Sequence, residues 1–128
     1  MDLGILGENI AFRYLKNSGY RIISRNFKLG FDEIDIIAFS PLGILIFIEV
    51  KTMRHLLSPH RFLMPEDNFS SRKLKKILRV CEGFLIKNPG SVNEDLGWRV
   101  DLIAISVKQG KGRYDLHHYT NVGNSFSA

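Results

Sequence analysis

The chain has 128 residues, of which 45% are hydrophobic and 24% charged, with a formal net charge of +5. This composition excludes a disordered chain and predicts a single folded domain over 1–120, followed by a flexible tail at 121–128. The longest apolar stretch is too short to cross a bilayer, the N-terminus lacks a basic signal segment, and Cys81 has no partner for a disulfide, so we expect a cytoplasmic protein with no membrane contact.

The hydrophobic periodicity predicts the element order helix, three strands, helix and two strands. In chain order, the predicted elements are a helix at 3–16, a strand at 20–27, a hairpin at 32–52, a long loop at 53–68, a helix at 72–87 capped by Ser71, and strands at 98–107 and 113–119. Both hairpin strands are apolar at nearly every position, so we expect a sheet covered by helices, which is an α/β architecture.

The two hairpin strands contain ionisable residues within apolar runs. Glu33 and Asp35 are two apart in the first strand, and Glu49 and Lys51 are two apart in the second. Residues two apart on a strand share a face, and a buried charge is costly unless a partner or ligand compensates it. We therefore interpret these residues as a candidate site.

The Ser-Pro-Leu-Gly turn signal between the strands predicts their register. If the hairpin is centred on Leu42, Asp35 faces Glu49 and Glu33 faces Lys51, with opposite Cβ atoms roughly 4.5–5.5 Å apart. Two carboxylates at that separation repel each other, and a divalent cation would remove the penalty. The alternative is a Glu33–Lys51 ion pair beside two exposed acids.

Glu8 is an acid inside the apolar arc of the first helix. Small residues beside it would let this helix approach the sheet closely, so that Glu8 points at the same place as the strand acids. The alternative is that Glu8 lies at the border of the apolar arc, where its carboxylate reaches water and pairs with Arg21 or Arg25.

The acids suggest a cation site. Asp35 and Glu49 supply oxygen ligands of the kind that Mg²⁺ or Mn²⁺ prefers, and the carbonyl of Val50 could add another. A cation held there would make water a usable nucleophile, while Lys51 positions that water or stabilises charge on a phosphate. Acids, a metal and a lysine together suit phosphodiester hydrolysis.

The pattern Asp35…Glu49-Val50-Lys51 matches the PD-(D/E)XK nuclease signature, with Ile34 in place of its proline. The chain more closely resembles the YraN family of small bacterial proteins over nearly its full length. The matching segments are Gly7-Glu8, Gly19-Tyr20, Arg25-Asn26, 33–38, 47–51, Pro65-Glu66, 73–77 and Arg99-Val100-Asp101. The resemblance implies a restriction-endonuclease-like fold, with a central mixed sheet of about five strands flanked by helices.

The resemblance also implies similarity to archaeal Holliday-junction resolvases, in which a glutamate of the first helix joins the strand acids. This favours Glu8 as a site residue. Resolvases of this fold work as symmetric dimers, so a homodimer is a further expectation.

The leading hypothesis is a Mg²⁺- or Mn²⁺-dependent endonuclease acting on DNA, with branched DNA as a candidate substrate. Asp35 and Glu49 would bind metal, Lys51 would assist the attacking water, Glu8 would complete the acid cluster, and Glu33 would be secondary. The alternative is a non-catalytic nucleic-acid-binding module that retains the nuclease fold.

Asp32 favours that alternative, because it stands where the family usually has glycine and adds negative charge beside the site. A protein-interaction scaffold is a third possibility. Fold resemblance predicts activity poorly, because function depends on the site.

Basic residues of the long loop and second helix are candidates for contacts with a phosphate backbone: Arg54, Arg61, Arg72, Lys73, Lys75 and Lys76. The alternative is a solvated helix face. The four histidines do not form a zinc pattern, and we expect ordinary surface residues. Cys81 is expected to be an inert core thiol, and Asp101 to support Arg99 or the sheet edge.

Overall fold

The structure is a computed structural model that describes residues 2–54, 70–108 and 112–125. Its elements, in chain order, are α1 Leu3–Asn17, β1 Arg21–Leu29, β2 Asp32–Phe39, β3 Leu45–Arg54, α2 Ser71–Lys87, β4 Trp98–Val107, β5 Tyr114–Tyr119 and α3 Val122–Ser125. The five strands form one sheet in the order β1-β2-β3-β4-β5. β3 and β4 run parallel, and the other neighbouring pairs are antiparallel. The predicted α/β class, with a mixed sheet flanked by helices, is confirmed.

Helices cover both faces of the sheet. On one face, Ala11 and Leu15 of α1 pack in a buried cluster with Ile48. On the other face, Phe84 of α2 packs on Phe47, with ring centroids 5.6 Å apart. Fully burying such a side chain stabilises the fold by roughly 1.5–3 kcal/mol. Both faces of the hairpin are buried in this way, which accounts for the apolar residues at nearly every position of its strands. Within the described ranges, no helix is long and apolar enough to cross a membrane.

The register predicted for the hairpin is confirmed over its paired part. Ile36 lies opposite Ile48, and Phe39 lies opposite Leu45. Gly43 closes the turn with a φ of 89°, a left-handed conformation that glycine adopts without steric cost. The paired register ends at Ile36–Ile48, one residue before the predicted Asp35–Glu49 pair.

The two-residue alternation of β2 is interrupted at Asp35. Ile34 belongs to the buried cluster on the α2 face, whereas Ile36 belongs to the cluster on the α1 face. Residues two apart on a regular strand share a face, so the strand changes its orientation between them. The shared face predicted for Glu33 and Asp35 therefore does not follow from regular alternation along β2.

A matching interruption occurs on β1, opposite Asp35. The guanidinium of Arg25 lies 4.9 Å from the ring of Phe12 on α1, whereas Phe27 packs edge-on against a ring of α2. Between them, Asn26 has a φ of 55°, a conformation that asparagine tolerates better than most residues. The β1–β2 hairpin therefore turns between the two layers of the core at one pair of positions.

Two predicted boundaries are corrected. Ser70 rather than Ser71 caps α2, because its extended backbone lets Oγ accept a 3.2 Å hydrogen bond from the N–H of Lys73. β3 continues to Arg54, because its parallel pairing with β4 continues to Val107. The rest of the long loop predicted at 53–68 lies outside the described residues, which resume at 70.

The chain continues past β5 into the single turn of α3. Val122 begins this turn and is 2% exposed, within the cluster on the α2 face. The sequence predicted a flexible tail at 121–128, but the apolar Val122 side chain is buried against the sheet. Residues 126–128 lie outside the described part.

Candidate metal and nucleic-acid site

The acid site begins where β2 and β3 stop pairing. Asp35 is 7% exposed, and its Oδ2 accepts a 2.8 Å hydrogen bond from the backbone N–H of Val50. A buried N–H needs an acceptor, and the paired register has already ended at Ile36 and Ile48. A side-chain oxygen therefore takes the place of a strand carbonyl, which holds the Asp35 carboxyl group against β3.

Glu49 lies beside Asp35 on the α2 face of the sheet, as its alternation with Phe47 dictates. Burial, a hydrogen bond to the Asp35 side chain and the charge of that group together raise the pKa of Glu49 to about 9. Lys73 of α2 acts in the opposite direction and lowers it. The Asp35–Glu49 pair therefore holds a proton at neutral pH, because two neighbouring carboxylates cannot both ionise cheaply.

Glu8 reaches the same site because α1 lies very close to β3. A Cβ atom at Gly7 would overlap the side chain of Thr52, so only glycine permits this approach. Burial, then the charges of Asp35 and Glu33, raise the pKa of Glu8. The structure thus brings Glu8 near the strand acids, as the interpretation of it as a site residue requires.

Asn26 is a member of the site that the sequence analysis missed. Its side chain hydrogen-bonds Glu8 and, like the charge of Arg25, opposes the rise in the Glu8 pKa. The signal that could have found it is its residue type, because asparagine within a strand is compatible with a left-handed kink. Asn26 therefore couples the kink of β1 to the position of Glu8.

Glu33 and Lys51 occupy the exposed rim of the site. The charge of Glu33 raises the pKa of both Glu8 and Glu49, so it contributes to the negative potential. Lys51 follows Glu49 on the same strand face. In the described part of the chain, no ion pair joins Lys51 to Glu33, so that alternative interpretation of the spacing is wrong.

A cleft of about 370 Å³ lies between β2, β3 and the N-terminal half of α2. Acids form one wall and bases form the other. The ionisable residues among its lining are Asp32, Glu33, Glu49, Arg72, Lys73 and Lys76. The structure therefore places half of the predicted phosphate-binding residues in the same cleft as Glu49, Glu33 and Asp32.

The other predicted phosphate-binding residues lie elsewhere. Lys75 is exposed on α2 and Arg54 is exposed at the end of β3, and neither lines the cleft. Arg61 lies outside the described residues. The division on α2 follows helical geometry, because 72, 73 and 76 share one side whereas 75 points away from it.

The donor set fits a small hard cation with few protein ligands. Over residues 2–54, 70–108 and 112–125, no three His, Cys, Asp or Glu side chains are positioned to hold an ion together. Mg²⁺ typically binds through one or two carboxylates and keeps several waters, so Asp35, Glu49 and the Val50 carbonyl would suffice. A cation bound there would oppose the rise in the pKa of Glu49 that burial and Asp35 cause.

Comparison with known proteins identifies the family. Residues 7–105 match the model of the uncharacterised protein family UPF0102. The chain belongs to this family. Curated UPF0102 proteins are similar over most of their length, including one from Chlorobium phaeobacteroides at 40% identity over 93% of this chain and 91% of the relative. Another, from Desulforamulus reducens, is 32% identical over 93% of both chains.

Among solved structures, this UPF0102 chain is similar to that of Pyrococcus furiosus SfsA in complex with Ca²⁺. The similarity covers 89% of this chain and 60% of the SfsA chain. The TM-score is 0.37 and the sequence identity 14%.

The UPF0102 chain contains a second polar network, on the α1 face of the sheet and centred on Asp101, which is fully buried. Its Oδ1 accepts 2.9 Å hydrogen bonds from Nε of Arg99 and from the backbone N–H of Asn121. Its Oδ2 lies 2.8 Å from Nε2 of His118, whose Nδ1 lies 2.8 Å from the hydroxyl of Tyr14. The predicted support of Arg99 by Asp101 is present.

One prediction about the histidines is wrong. His118 is only 9% exposed in its side chain and links α1 to β4, rather than lying on the surface. Alternation along β5 brings it to the α1 face, where the buried carboxylate needs a donor. Cys81 is fully buried and burial raises the pKa of its thiol, as expected for an inert core residue.

Proposed function

We propose that this UPF0102 protein is a divalent-cation-dependent endonuclease that hydrolyses phosphodiester bonds in DNA, with branched DNA as the candidate substrate. The observation that carries this proposal is the Asp35–Glu49 carboxyl pair, whose Glu49 lines a cleft that also contains bases of α2. Acids that bind a cation and bases that bind phosphate must face each other across a nuclease site, and this cleft provides both within about 370 Å³.

The proposed roles follow from position. Asp35 and Glu49, with the Val50 carbonyl, would hold Mg²⁺ or Mn²⁺, which when bound lowers the pKa of water and offsets phosphate charge. Lys51, exposed beside Glu49, would orient the attacking water or the phosphate. Glu8, whose pKa is raised, would accept the proton that this water loses. Water would add to phosphorus and lose one proton to Glu8, one P–O ester bond would break, and the departing oxygen would take a proton from solvent water.

A non-catalytic nucleic-acid-binding module is the second candidate. Asp32 supports it, because this carboxylate lines the cleft beside Glu33 and repels an approaching phosphate. The module would use the same bases of α2 but would not need the acid pair to be ionised. It predicts salt-sensitive binding of DNA that persists in EDTA and in an Asp35→Asn variant.

The test incubates the purified chain and Mn²⁺ with duplex, single-stranded and four-way-junction DNA. We expect cleavage of at least one substrate and a loss of at least 100-fold in Glu49→Gln, which keeps the side-chain shape but removes the ionisable oxygen. Glu94→Gln is the matched control, because Glu94 is exposed in the α2–β4 connection. Cleavage of none of the substrates, or cleavage that survives Glu49→Gln, would overturn the enzymatic proposal.

A further inference from the structure

A second basic surface lies on the α1 face, away from the cleft of α2. Two adjoining depressions of about 550 and 430 Å³ lie between α1 and β1 and share Phe12, Lys16 and Arg25 in their walls. We call this surface the basic groove and define it by three cations that line it: Arg13, Lys16 and Arg25. No acidic residue is found among the described residues that line it.

The cations of the basic groove are held by rings and an amide rather than by carboxylates. Lys16 Nζ lies 5.5 Å and the Arg25 guanidinium 4.9 Å from the centre of the Phe12 ring. Arg25 also donates a 3.0 Å hydrogen bond to Oδ1 of Asn9. Arg21 lies 4.9 Å from the ring of Phe39, which packs on the α2-face cluster, so its charge is directed away from the groove. Within the described residues, none of the three cations forms an ion pair with a carboxylate. Rings and an amide position Lys16 and Arg25, and Arg25 also interacts with the charge of a carboxylate, that of Glu8.

The position of the basic groove also disfavours a second protein strand as its occupant. β1 is an edge strand of the sheet, and an exposed edge could pair with a strand of another chain. Arg21 and Arg25 lie on this edge, and charged side chains there oppose such pairing. An extended polyanion would instead gain from every cation in the groove.

The basic groove is connected to the acid site. Asn26, which follows Arg25, hydrogen-bonds Glu8. Arg13 and Lys16 follow Glu8 on α1 by five and eight residues, which corresponds to about 7.5 and 12 Å along the helix axis. At a rise of about 3.4 Å per nucleotide, these distances correspond to roughly two to four nucleotides. A nucleic-acid backbone that passes Glu8 would therefore reach Arg13 and Lys16 within a few nucleotides.

We propose that the basic groove binds a second segment of nucleic-acid backbone, so that the substrate crosses the kinked β1–β2 edge from the α2 face to the α1 face. This inference rests on the proposed function for the identity of the polyanion. It extends that function, because a protein that binds nucleic acid on both faces of its sheet favours bent or branched DNA over a straight duplex.

The test measures binding of fluorescent four-way-junction and duplex DNA in EDTA, where cleavage plays no part. We expect the Arg13→Glu/Lys16→Glu double variant to lose at least tenfold in affinity for the junction and less for the duplex. The slope of log affinity against log salt should fall by roughly two, since each phosphate contact contributes about 0.9. The Arg13→Gln/Lys16→Gln variant should also lower the affinity for the junction and the slope against salt, but by smaller amounts.

The matched control is Lys108→Glu/Arg113→Glu, which changes the charge equally at the far edge of the sheet. A loss in the control equal to that in the groove variant would overturn the inference, because net charge alone would explain it. Arg72→Glu/Lys76→Glu separates the two proposals. If this cleft variant loses binding but the groove variant does not, the inference fails and the proposed function stands. If neither loses binding, both fail.

The same variants are tested on vesicles of phosphatidylserine. Loss of vesicle binding with DNA binding retained would assign the groove to a membrane surface and overturn the inference. Circular dichroism melts confirm that each variant is folded, which is expected because Arg13 and Lys16 are both exposed.

Discussion

The backbone N–H of Val50 donates a 2.8 Å hydrogen bond to Oδ2 of Asp35, at the point where β2 and β3 stop pairing. This bond joins the signature acid of one strand to the signature segment of the next. It also explains how a buried carboxyl group next to Glu49 is compatible with a stable fold, because one of its oxygens is satisfied by the backbone.

The Asp35–Val50 bond can be separated from the charge of Asp35. Asp35→Asn keeps an acceptor oxygen for the Val50 N–H, so we expect stability within about 1 kcal/mol of the parent, whereas Asp35→Ala leaves that N–H unsatisfied and should cost about 1–3 kcal/mol more. Urea unfolding measures the free energy of unfolding of both variants. Calorimetric titration with Mn²⁺ should show that both variants lose cation binding. Equal stability of the two variants would contradict the structural role of the bond.

The left-handed conformation of Asn26 should make this position sensitive to residue type. Asn26→Val places a β-branched side chain at a φ of 55°, and we expect a loss of about 1–2 kcal/mol relative to Asn26→Gly. Thermal unfolding compares the two variants. Both lose the hydrogen bond to Glu8, so they form a matched pair that isolates the backbone effect. Greater stability of the valine variant would show that the kink is absent in solution.

The contact between α1 and β3 should tolerate no side chain at Gly7. Gly7→Ala forces a Cβ atom into the side chain of Thr52, and we expect a loss of about 1–3 kcal/mol despite the better helix propensity of alanine. Thr52→Ala removes the overlapping hydroxyl and methyl groups, so the double variant should recover part of the loss. Chemical unfolding of the four proteins completes a double-mutant cycle. Additive effects would contradict the close contact.

Stability should fall in acid through the Asp101 network. Burial alone would raise the pKa of Asp101, but hydrogen bonds from His118, Arg99 and the backbone lower it below its usual value. A carboxylate with a depressed native pKa stabilises the fold above its unfolded pKa of about 3.9, and this stability is lost as pH falls through the native pKa. Urea unfolding between about pH 2 and about pH 7 measures how the free energy of unfolding changes with pH.

Asp101→Asn tests the same network at neutral pH. It removes the charge that compensates Arg99, and we expect a loss of about 2–4 kcal/mol together with a shallower dependence of stability on pH below about 4. Asp115→Asn is the control, because Asp115 pairs with Lys108 at an exposed site where such pairs contribute little. A parent-like acid slope in Asp101→Asn would contradict the assignment.

Local sequence pattern predicted much of the fold. The apolar runs of the hairpin, interrupted by a short turn, were sufficient for the order of the elements, the α/β class and the register from Ile36–Ile48 to Phe39–Leu45. These features depend on periodicity and turn chemistry, which involve residues close together in the chain. The same pattern singled out Asp35, Glu49 and Glu8, because an acid in an apolar segment is conspicuous wherever it lies.

Features that depend on distant residues were missed. Nothing in the sequence around His118 indicates that it joins Tyr14 to Asp101, because the three residues lie on α1, β4 and β5 and meet only when the sheet is assembled. The kink at Asn26 and Asp35 was likewise hidden, since alternation was assumed to continue along both strands. Tertiary packing can override a local period when another layer of the core has to be filled.

The amino-acid sequence by itself determined which segments are helices and strands, how the hairpin pairs and which acids cannot be ordinary core residues, because spacing along the chain sets these properties. Only the tertiary structure decided that α1 approaches β3 through Gly7, that Asn26 turns β1 between the two layers, and that Arg72, Lys73 and Lys76 face the acids across one cleft. Burial, Coulomb interactions and steric contact depend on distances in space, and the folded sheet creates those distances between residues that are far apart in the chain.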